Sequence, residues 1–183
     1  SYTQGAAVPE VWLTADTNLF QEGGLQESQT VLIHAGASGV GSAAIQLAKE
    51  AGARVVVTVG SSAKQAICRD LGADITIEYK SEQFKAVIAE RTGGAGVDLV
   101  LDCVGGPYLE DHIRLLKPYG RLVNIGLLGG ASGLLDMAAV LMKSLTIKGT
   151  RLRARSIDEK GRLTLSFRDR FWPLLVAGKL RPI

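Results

Sequence analysis

Six short apolar runs, rich in β-branched residues, alternate along the chain with longer stretches whose apolar residues recur at helical spacing. Strands that are apolar on both faces belong in a parallel sheet covered by helices. The pattern therefore predicts an α/β fold: a doubly wound parallel six-stranded sheet of the Rossmann type, in three α/β/α layers. The apolar runs lie at 30–35, 54–59, 74–79, 97–104, 121–126 and 145–150. The helical stretches lie at about 5–20, 40–51, 62–71, 82–91, 107–116, 134–143 and 156–178.

Length and composition fit one globular domain and exclude several classes of function. The chain has 183 residues, of which 46% are hydrophobic, 21% charged and 5% aromatic, and its formal net charge is +3. It contains no signal peptide and no apolar run of about eighteen residues, so we expect no membrane partner. Basic residues are dispersed and aromatic residues are few, so we expect no nucleic acid partner. We predict a single domain over residues 1–183.

The two cysteines, Cys68 and Cys103, give no sign of a disulfide framework or a metal site. They lack CxxC spacing, and a chain with so few cysteines belongs by default in a reducing compartment. We therefore expect a cytoplasmic location and no bound metal. Cys103 ends an apolar run, where a small buried side chain is a simpler role than a reactive thiol.

Residues 34–43, "HAGASGVGSA", join the first apolar run to the helical stretch at 40–51. The strand directs its carboxyl end at this loop, and the helix directs its amide donors and positive dipole end at the same place. Gly36 permits a tight turn, and Gly41 permits close packing of helix on strand. Ser38 occupies a usual glycine position, and its hydroxyl could donate to a phosphate oxygen. Because the loop follows a strand and opens a helix, it predicts a pyrophosphate site rather than a ligand-free turn.

The end of the second apolar run favours NADPH over NADH. A site for NAD usually has an acidic residue here that binds the ribose hydroxyls. Residues 58–65, "TVGSSAKQ", contain no acid and instead provide Gly60, Ser61 and Lys64. Hydroxyls and an ammonium would bind a ribose 2′-phosphate that a carboxylate would repel. The alternative is that Ser61 only caps a helix and Lys64 is a solvated surface residue, although capping is compatible with phosphate binding.

Small residues also follow the fourth and fifth apolar runs, in "DCVGG" (102–106) and "NIGLLGG" (124–130). Ligands of open α/β sheets bind at such strand ends, where Gly105 and Gly126 would let a flat ring lie against the backbone. Turn formation alone also explains these glycines. Asp102, inside an apolar run, is more simply a hydrogen-bonded structural residue than a functional one.

Three common chemistries lack the residues they need. No tyrosine is followed by lysine at the Tyr-x-x-x-Lys spacing of short-chain dehydrogenases. A nucleoside triphosphate loop would need Gly-Lys-Ser/Thr where this chain has "GVGSA". His34 and His112 have no convincing nucleophile partner in the sequence, so a hydrolase triad is unsupported.

Four segments together resemble the cofactor domain of zeta-crystallin-like NADPH:quinone oxidoreductases, in the zinc-free branch of the medium-chain dehydrogenase/reductase superfamily. They are "VLIHAGASGVGSAAIQLAKEAGA", "GADITIEY", "GVDLVLDCVGG" and "GRLVNIGLLGG". The resemblance implies NADPH as cofactor and hydride transfer to a quinone or an α,β-unsaturated carbonyl. Glu10 stands where zinc-dependent relatives have a cysteine ligand, which implies that no metal is bound.

The resemblance also implies cofactor contacts, but it names no catalytic residue. The loop and the end of the second strand are supported independently by the arguments above, and the other contacts depend on the resemblance. The implied contacts are Thr14 at the nicotinamide-side phosphate; Ser38, Gly39 and Val40 under the pyrophosphate; Gly60, Ser61 and Lys64 around the 2′-phosphate, with Tyr79 beside the adenosine; and Cys103, Val104, Gly126 and Leu127 around the ribose and nicotinamide.

Family members are longer and have a β-rich substrate domain, which we expect to be absent from this chain. Half of the active site would then be missing, and we expect no turnover by the chain alone. The leading function is an NADPH-dependent quinone oxidoreductase. An enoyl reductase from a polyketide synthase or a related system is the second, and a non-catalytic nucleotide-binding or dimerisation module is the third. We expect residues 145–150 to form an exposed edge strand through which two copies pair as a homodimer.

Overall fold

A computed structural model describes residues 2–183, which form one six-stranded sheet with helices on both faces. The strands are β1 (Thr30–Ile33), β2 (Arg54–Val59), β3 (Ile75–Glu78), β4 (Val97–Asp102), β5 (Leu116–Asn124) and β6 (Thr146–Gly149). Every neighbouring pair is parallel, in the order β3-β2-β1-β4-β5-β6. The order reverses between β1 and β4, as in doubly wound dinucleotide-binding sheets. The predicted fold class is confirmed.

Helices connect the strands as the alternating pattern predicts, with ends that shift by up to three residues. The α-helices are α1 (Tyr2–Ala6), α2 (Val11–Asp16), α3 (Gly39–Glu50), α4 (Ser62–Asp70), α5 (Phe84–Arg91), α6 (Leu109–Leu115), α7 (Met137–Lys143) and α8 (Ile157–Val176). A π-helical turn (Thr17–Glu22) continues α2, and a 3-10 turn (Gly106–Tyr108) precedes α6.

The leading helix is more irregular than its apolar pattern predicts. In place of one helix at 5–20, α1 and α2 are separate, and Pro9 lies between them. Because proline lacks the backbone N–H that a helix interior uses, Pro9 disfavours one continuous helix here. The apolar face survives the break: Trp12, Ala15 and Leu19 are all buried.

Two hydrophobic clusters sandwich the sheet. On one face, Val31 and Ile33 of β1 pack beneath α2, α3 and α8, where the Trp12 and Phe167 rings meet edge to face at 6.4 Å. On the other face, Leu32 packs with Phe84 and other residues of α5 and the adjoining strands. Alternate residues of one strand thus serve opposite layers, which explains why β1 is apolar throughout.

The last two strands frame the free edge of the sheet. β5 begins at Leu116, ahead of the apolar run at 121–126, and its pairing register with β4 shifts between Val97 and Leu99. Within β5, Tyr119 adopts a left-handed backbone, with a φ of 62°. β6 pairs with β5 on one side only, and all its residues are exposed. The predicted edge position of this strand is confirmed.

Candidate dinucleotide site

The glycine-rich loop lies between the end of β1 and the start of α3, at the carboxyl end of the sheet. Ala35 makes the sharp turn, with a φ of 53°, and Ser38 is the N-cap of α3 in extended backbone. The Ser38 Oγ accepts a hydrogen bond of 3.0 Å from the Gly41 amide. Serine therefore replaces glycine here without strain, because its φ of −78° suits any residue. Since Oγ is the acceptor, the hydroxyl hydrogen remains available to a ligand.

Two glycines are required for space rather than for an unusual φ. A Cβ on Gly41 would lie 2.3 Å from the Ala35 carbonyl oxygen, and one on Gly36 would lie 2.8 Å from the Val57 Cβ. The left-handed residue of the turn is Ala35, and Gly36 permits the turn through the space it leaves. Gly41 instead lets the first turn of α3 sit directly on the loop backbone.

Three amides at this junction have no hydrogen-bond partner within residues 2–183: those of Ala37, Gly39 and Val40. They belong to the loop and the first turn of a twelve-residue helix. Unpaired first-turn amides and the positive end of the helix dipole together bind anions. Ser38 and Gly39 are exposed, so an anion can reach these donors.

A cavity of about 230 Å³ adjoins the loop at the ends of β2 and β3. Ser61 caps α4 by accepting from the Lys64 amide at 3.4 Å, which confirms the capping interpretation. A Cβ on Gly60 would lie 3.2 Å from the Tyr79 hydroxyl oxygen, so glycine leaves this tyrosine room. The lining residues are Ala35, Ala37, Ser38, Val59, Gly60, Lys64, Tyr79 and Lys80.

The ends of β4 and β5 form a second, separate group of predicted residues. The Cys103 carbonyl accepts from the Leu128 amide at 3.0 Å, and the Val104 carbonyl accepts from the Gly129 amide at 2.8 Å. A Cβ on Gly126 would lie 3.2 Å from the Cys103 carbonyl oxygen. Leu127 is exposed beside this surface. The two strand ends therefore meet in a flat, backbone-lined surface.

Asp102 holds this second group in place. Its carboxylate accepts from the Val104 amide at 2.8 Å, the Gly105 amide at 3.1 Å and the Asn124 Nδ2 at 2.8 Å. The structural role expected for Asp102 is confirmed. Burial, followed by the Asp102 charge, raises the pKa of the neighbouring Cys103 thiol, so this thiol is a weak nucleophile at neutral pH.

Thr14 is the predicted contact that comes from α2. It is half-buried on α2, which packs against α3, and its carbonyl oxygen accepts from the Asn18 Nδ2 at 2.7 Å. Its side chain has no hydrogen-bond partner in the described part of the chain, and it is not among the residues that line the cavity. Its role at the nicotinamide-side phosphate stays a prediction.

Sequence reasoning missed a buried histidine pair beneath the loop. The Nε2 atoms of His34 and His112 lie 2.8 Å apart, and the His34 Nδ1 lies 2.8 Å from the Thr58 Oγ1. We assign the His112 Nε2 as donor to the His34 Nε2, and the His34 Nδ1 as donor to Thr58. This assignment leaves only an acceptor, the His112 Nδ1, without a partner in residues 2–183. The residues are 78 positions apart, and only the packing of α6 on the sheet brings them together.

His34, Asp102 and His112 also place three potential metal ligands within 4.8 Å of one another. The 2.8 Å contact between the two histidine nitrogens is a direct hydrogen bond. Around a tetrahedral zinc ion, two such nitrogens would be separated by about 3.3 Å. The carboxylate of Asp102 is already bound to the amides and side chain described above. The cluster is therefore a hydrogen-bonded core element and not a metal centre.

A further cavity lies away from the loop, between α2 and α8. Its volume is about 530 Å³, and Glu10, Arg153 and Lys160 are among its lining residues. Glu10 stands where some relatives carry a zinc ligand, and here it shares the cavity with two cations, Arg153 and Lys160. A zinc ion would find a single carboxylate and two repelling charges, so these residues do not fit the metal.

Comparison with known proteins agrees with this geometry. A sequence profile described as zinc-binding dehydrogenase matches residues 39–166. Highly-reducing polyketide synthase 1 of Aureobasidium melanogenum is 42% identical over 128 residues, which are 68% of this chain and 6% of that protein. The spectinabilin polyketide synthase system protein NorB of Streptomyces orinoci is 37% identical over 187 residues, covering 100% of this chain and 8% of its own length.

Solved structures share the whole fold. Escherichia coli quinone oxidoreductase complexed with NADPH superposes with a TM-score of 0.86 at 30% identity, over 98% of this chain and 55% of that one. The nucleotide-binding subdomain of the enoylreductase domain of PpsC from Mycobacterium tuberculosis gives 0.82 at 31% identity, over 96% of this chain and 97% of that one. No helix within residues 2–183 has the length and apolarity to cross a bilayer.

The family's name refers to zinc, but neither Glu10 nor the His34–His112 pair offers this chain a zinc site. Membership rests instead on the strand order, the loop before α3 and the profile match over residues 39–166. The chain belongs to the zinc-binding dehydrogenase family, as a nucleotide-binding domain of the medium-chain dehydrogenase/reductase superfamily.

Proposed function

We propose that the chain is the NADPH-binding domain of an enoyl reductase of the polyketide synthase type. The observation that carries the proposal is the row of unpaired amides at Ala37, Gly39 and Val40, which leads into a cavity bordered by Lys64 and Lys80. The amides suit a diphosphate, and the cations suit a 2′-phosphate. This sequence of donors and charges matches the adenosine half of NADPH.

When held by these residues, NADPH would supply hydride chemistry toward an electron-poor carbon of the acceptor. The chain's own residues position the cofactor for this transfer. The amides before α3 fix the diphosphate, and the surface formed by Cys103 and Gly126 supports the ribose and the ring. Because burial raises the pKa of the Cys103 thiol, this side chain stays protonated and does not compete for the acceptor.

An α,β-unsaturated thioester is the acceptor that we favour. It is supported by the polyketide synthase relatives and by the match to the PpsC enoylreductase subdomain. A quinone, the acceptor that the sequence motifs favour, is the second candidate, supported by the match to Escherichia coli quinone oxidoreductase. Residues on the substrate-binding side of the active site would select between thioester and quinone, because the dinucleotide loop contacts only the cofactor.

Two copies of the chain pair through β6 in this proposal. The outer edge of β6 has no strand partner within residues 2–183, and Ile147 is exposed on it. Exposed Leu141 and Met142 lie nearby on α7. An unpaired edge with apolar neighbours invites pairing with another strand. The homodimer and the cytoplasmic location both stay predictions.

An assay with two acceptors tests the function. The full-length protein would be given NADPH with either an enoyl thioester or a quinone, and oxidation of the cofactor would be followed at 340 nm, the absorbance band of reduced nicotinamide. We expect turnover with the thioester that Gly41→Ala abolishes and that Gly161→Ala, in open space on α8, leaves intact. Turnover with quinone alone would favour the second candidate, and turnover with neither would contradict the proposed function.

A further inference from the structure

Most lysines of this protein are engaged with acceptors, and the exceptions are informative. Within residues 2–183, Lys64, Lys80 and Lys179 have neither an ion pair nor a side-chain hydrogen bond. Lys64 and Lys80 both line the cavity beside the dinucleotide loop, whereas Lys179 lies near the C-terminus. The engaged lysines are Lys49, Lys85, Lys117 and Lys148, which pair with acids, and Lys143 and Lys160, which bind carbonyl oxygens.

The two cavity lysines approach from different elements. Lys64 lies in the first turn of α4, and Lys80 lies in the turn after β3. Backbone bonds fix this turn: the Tyr79 amide donates to the Val59 carbonyl at 3.1 Å, and the Ser81 amide donates to the Glu78 carbonyl at 3.0 Å. The position of Lys80 beside β2 is therefore set before any ligand binds.

No acidic side chain lines this cavity. The carboxylate of Glu82, two residues after Lys80, is directed at the backbone, where its Oε2 accepts from the Glu78 amide at 2.8 Å. The same oxygen lies 3.5 Å from the Gln65 Nε2. The two ammonium groups are thus left uncompensated in one cavity, which is the electrostatic condition for binding a compact dianion.

We propose that Lys80 is a second specificity-determining cation of the 2′-phosphate subsite, opposite Lys64. This inference rests on the proposed function, because the ligand it addresses is the ribose 2′-phosphate of NADPH. A phosphate monoester carries about −1.5 to −2 charges at neutral pH, so one lysine neutralises it only in part. With one flexible lysine on each side of the phosphate, Lys80 supplies the second positive charge. NADH has a neutral 2′-hydroxyl at this position, which gains no charge–charge attraction from either lysine.

Calorimetric titration of variants of the chain tests this assignment, with NADPH, NADH and adenosine 2′,5′-bisphosphate as probes. Lys80→Ala should lower the affinity for NADPH and for the bisphosphate by about three- to tenfold, the range for an exposed charged hydrogen bond. NADH affinity should not change, and Lys80→Arg should retain the wild-type affinities. Lys179→Ala, which removes a distant unpaired lysine, should match the wild type.

The outcomes separate this inference from the function beneath it. If Lys80→Ala binds the bisphosphate like the wild type while Lys64→Ala binds it weakly, the role of Lys80 is overturned and the NADPH site stands. If Lys80→Ala weakens NADPH and NADH equally, the residue is not a specificity determinant. If the wild type binds none of the three probes, the proposed function fails and this inference fails with it. A selective loss of the two 2′-phosphorylated probes establishes the second cation.

Discussion

His34 and His112 share a direct hydrogen bond of 2.8 Å between their Nε2 atoms, and both rings are buried. Burial is the main cause that lowers the pKa of both, His34 well below its ordinary value and His112 to about 4. Each residue therefore stays neutral in the folded protein at pH values where it would be protonated in the unfolded chain.

This pair predicts that acid destabilises the fold. Between about pH 6.5 and pH 4 the unfolded chain binds protons that the folded histidines refuse, so stability is full above this range and falls within it. Each histidine can lower the free energy of unfolding by up to about 1.4 kcal/mol per pH unit in this range. Urea unfolding of wild type and His112→Gln at several pH values checks this. As the pH falls, the unfolding free energy of the variant should decrease less steeply than that of the wild type. Equal slopes of unfolding free energy against pH would argue against the buried pair.

Asp16 predicts the opposite dependence. Burial raises the pKa of this carboxyl to about 6 despite the nearby Arg170, whose Nη1 lies 3.1 Å from the Oδ1. The Oδ2 has no partner among the described residues. A folded pKa above the unfolded value means that stability is lost as the pH rises from about 4 through 6.

Replacing the charge should reverse this loss. Relative to the wild type, Asp16→Asn should gain up to about 3 kcal/mol more stability at pH 8 than at pH 4, because about two pKa units separate folded and unfolded states. Paired urea titrations at the two pH values measure the difference. Glu22, an acid whose pKa its partners Lys148 and Arg155 lower against burial, is the matched control, and Glu22→Gln should lose stability at pH 8. A pH-independent effect of Asp16→Asn would contradict the account.

The first turn of α3 predicts that Gly41 tolerates no side chain. The Cβ of Gly41→Ala would lie 2.3 Å from the Ala35 carbonyl oxygen, so the loop must move. We expect a loss of about 1–3 kcal/mol in unfolding free energy and loss of dinucleotide binding. Gly161→Ala, with no atom within 4 Å, should instead stabilise α8 by about 0.5–1 kcal/mol. Normal dinucleotide affinity in Gly41→Ala would show that the helix start is not the anion site.

The cavity beside β2 predicts that Lys64 discriminates between the two cofactors. Removing its ammonium in Lys64→Ala should narrow the preference for NADPH over NADH by about 1–3 kcal/mol, the scale for a charged hydrogen bond. The substitution leaves the helix cap intact, because Ser61 accepts from the backbone amide of residue 64. Calorimetry with both cofactors measures the change, and Lys64→Arg should preserve the preference. Equal affinity of the wild type for both cofactors would refute a phosphate pocket.

The edge strand predicts a dimer that one charge disrupts. Ile147→Asp places a carboxylate on β6, where pairing with a second copy would bury it. Light scattering after size-exclusion chromatography should show a dimer for the wild type and a monomer for this variant. Ile157→Asp, at the exposed start of α8, should remain dimeric. A wild type that is monomeric at high concentration would exclude pairing through β6.

The sequence predicted the strand succession and the loop because both depend on local patterns. Runs of β-branched residues define β1 and β2, and the spacing from Gly36 to Gly41 defines the loop. What the sequence could not specify arose from tertiary contacts. Ala35 takes the left-handed conformation, and Gly36 is needed because a Cβ there would meet Val57 of the neighbouring strand. The His34–His112 pair joins residues far apart in sequence, and no local period indicates it.

The central claim is that the unpaired amides before α3 hold the diphosphate of a dinucleotide. Titrating NADPH into the ¹⁵N-labelled chain and following the backbone amide resonances tests it most directly. We predict that the amides of Ala37, Gly39 and Val40 move downfield together as the cofactor saturates, as expected for new hydrogen bonds to an anion. Saturation by NADPH with these three resonances unmoved would contradict the account.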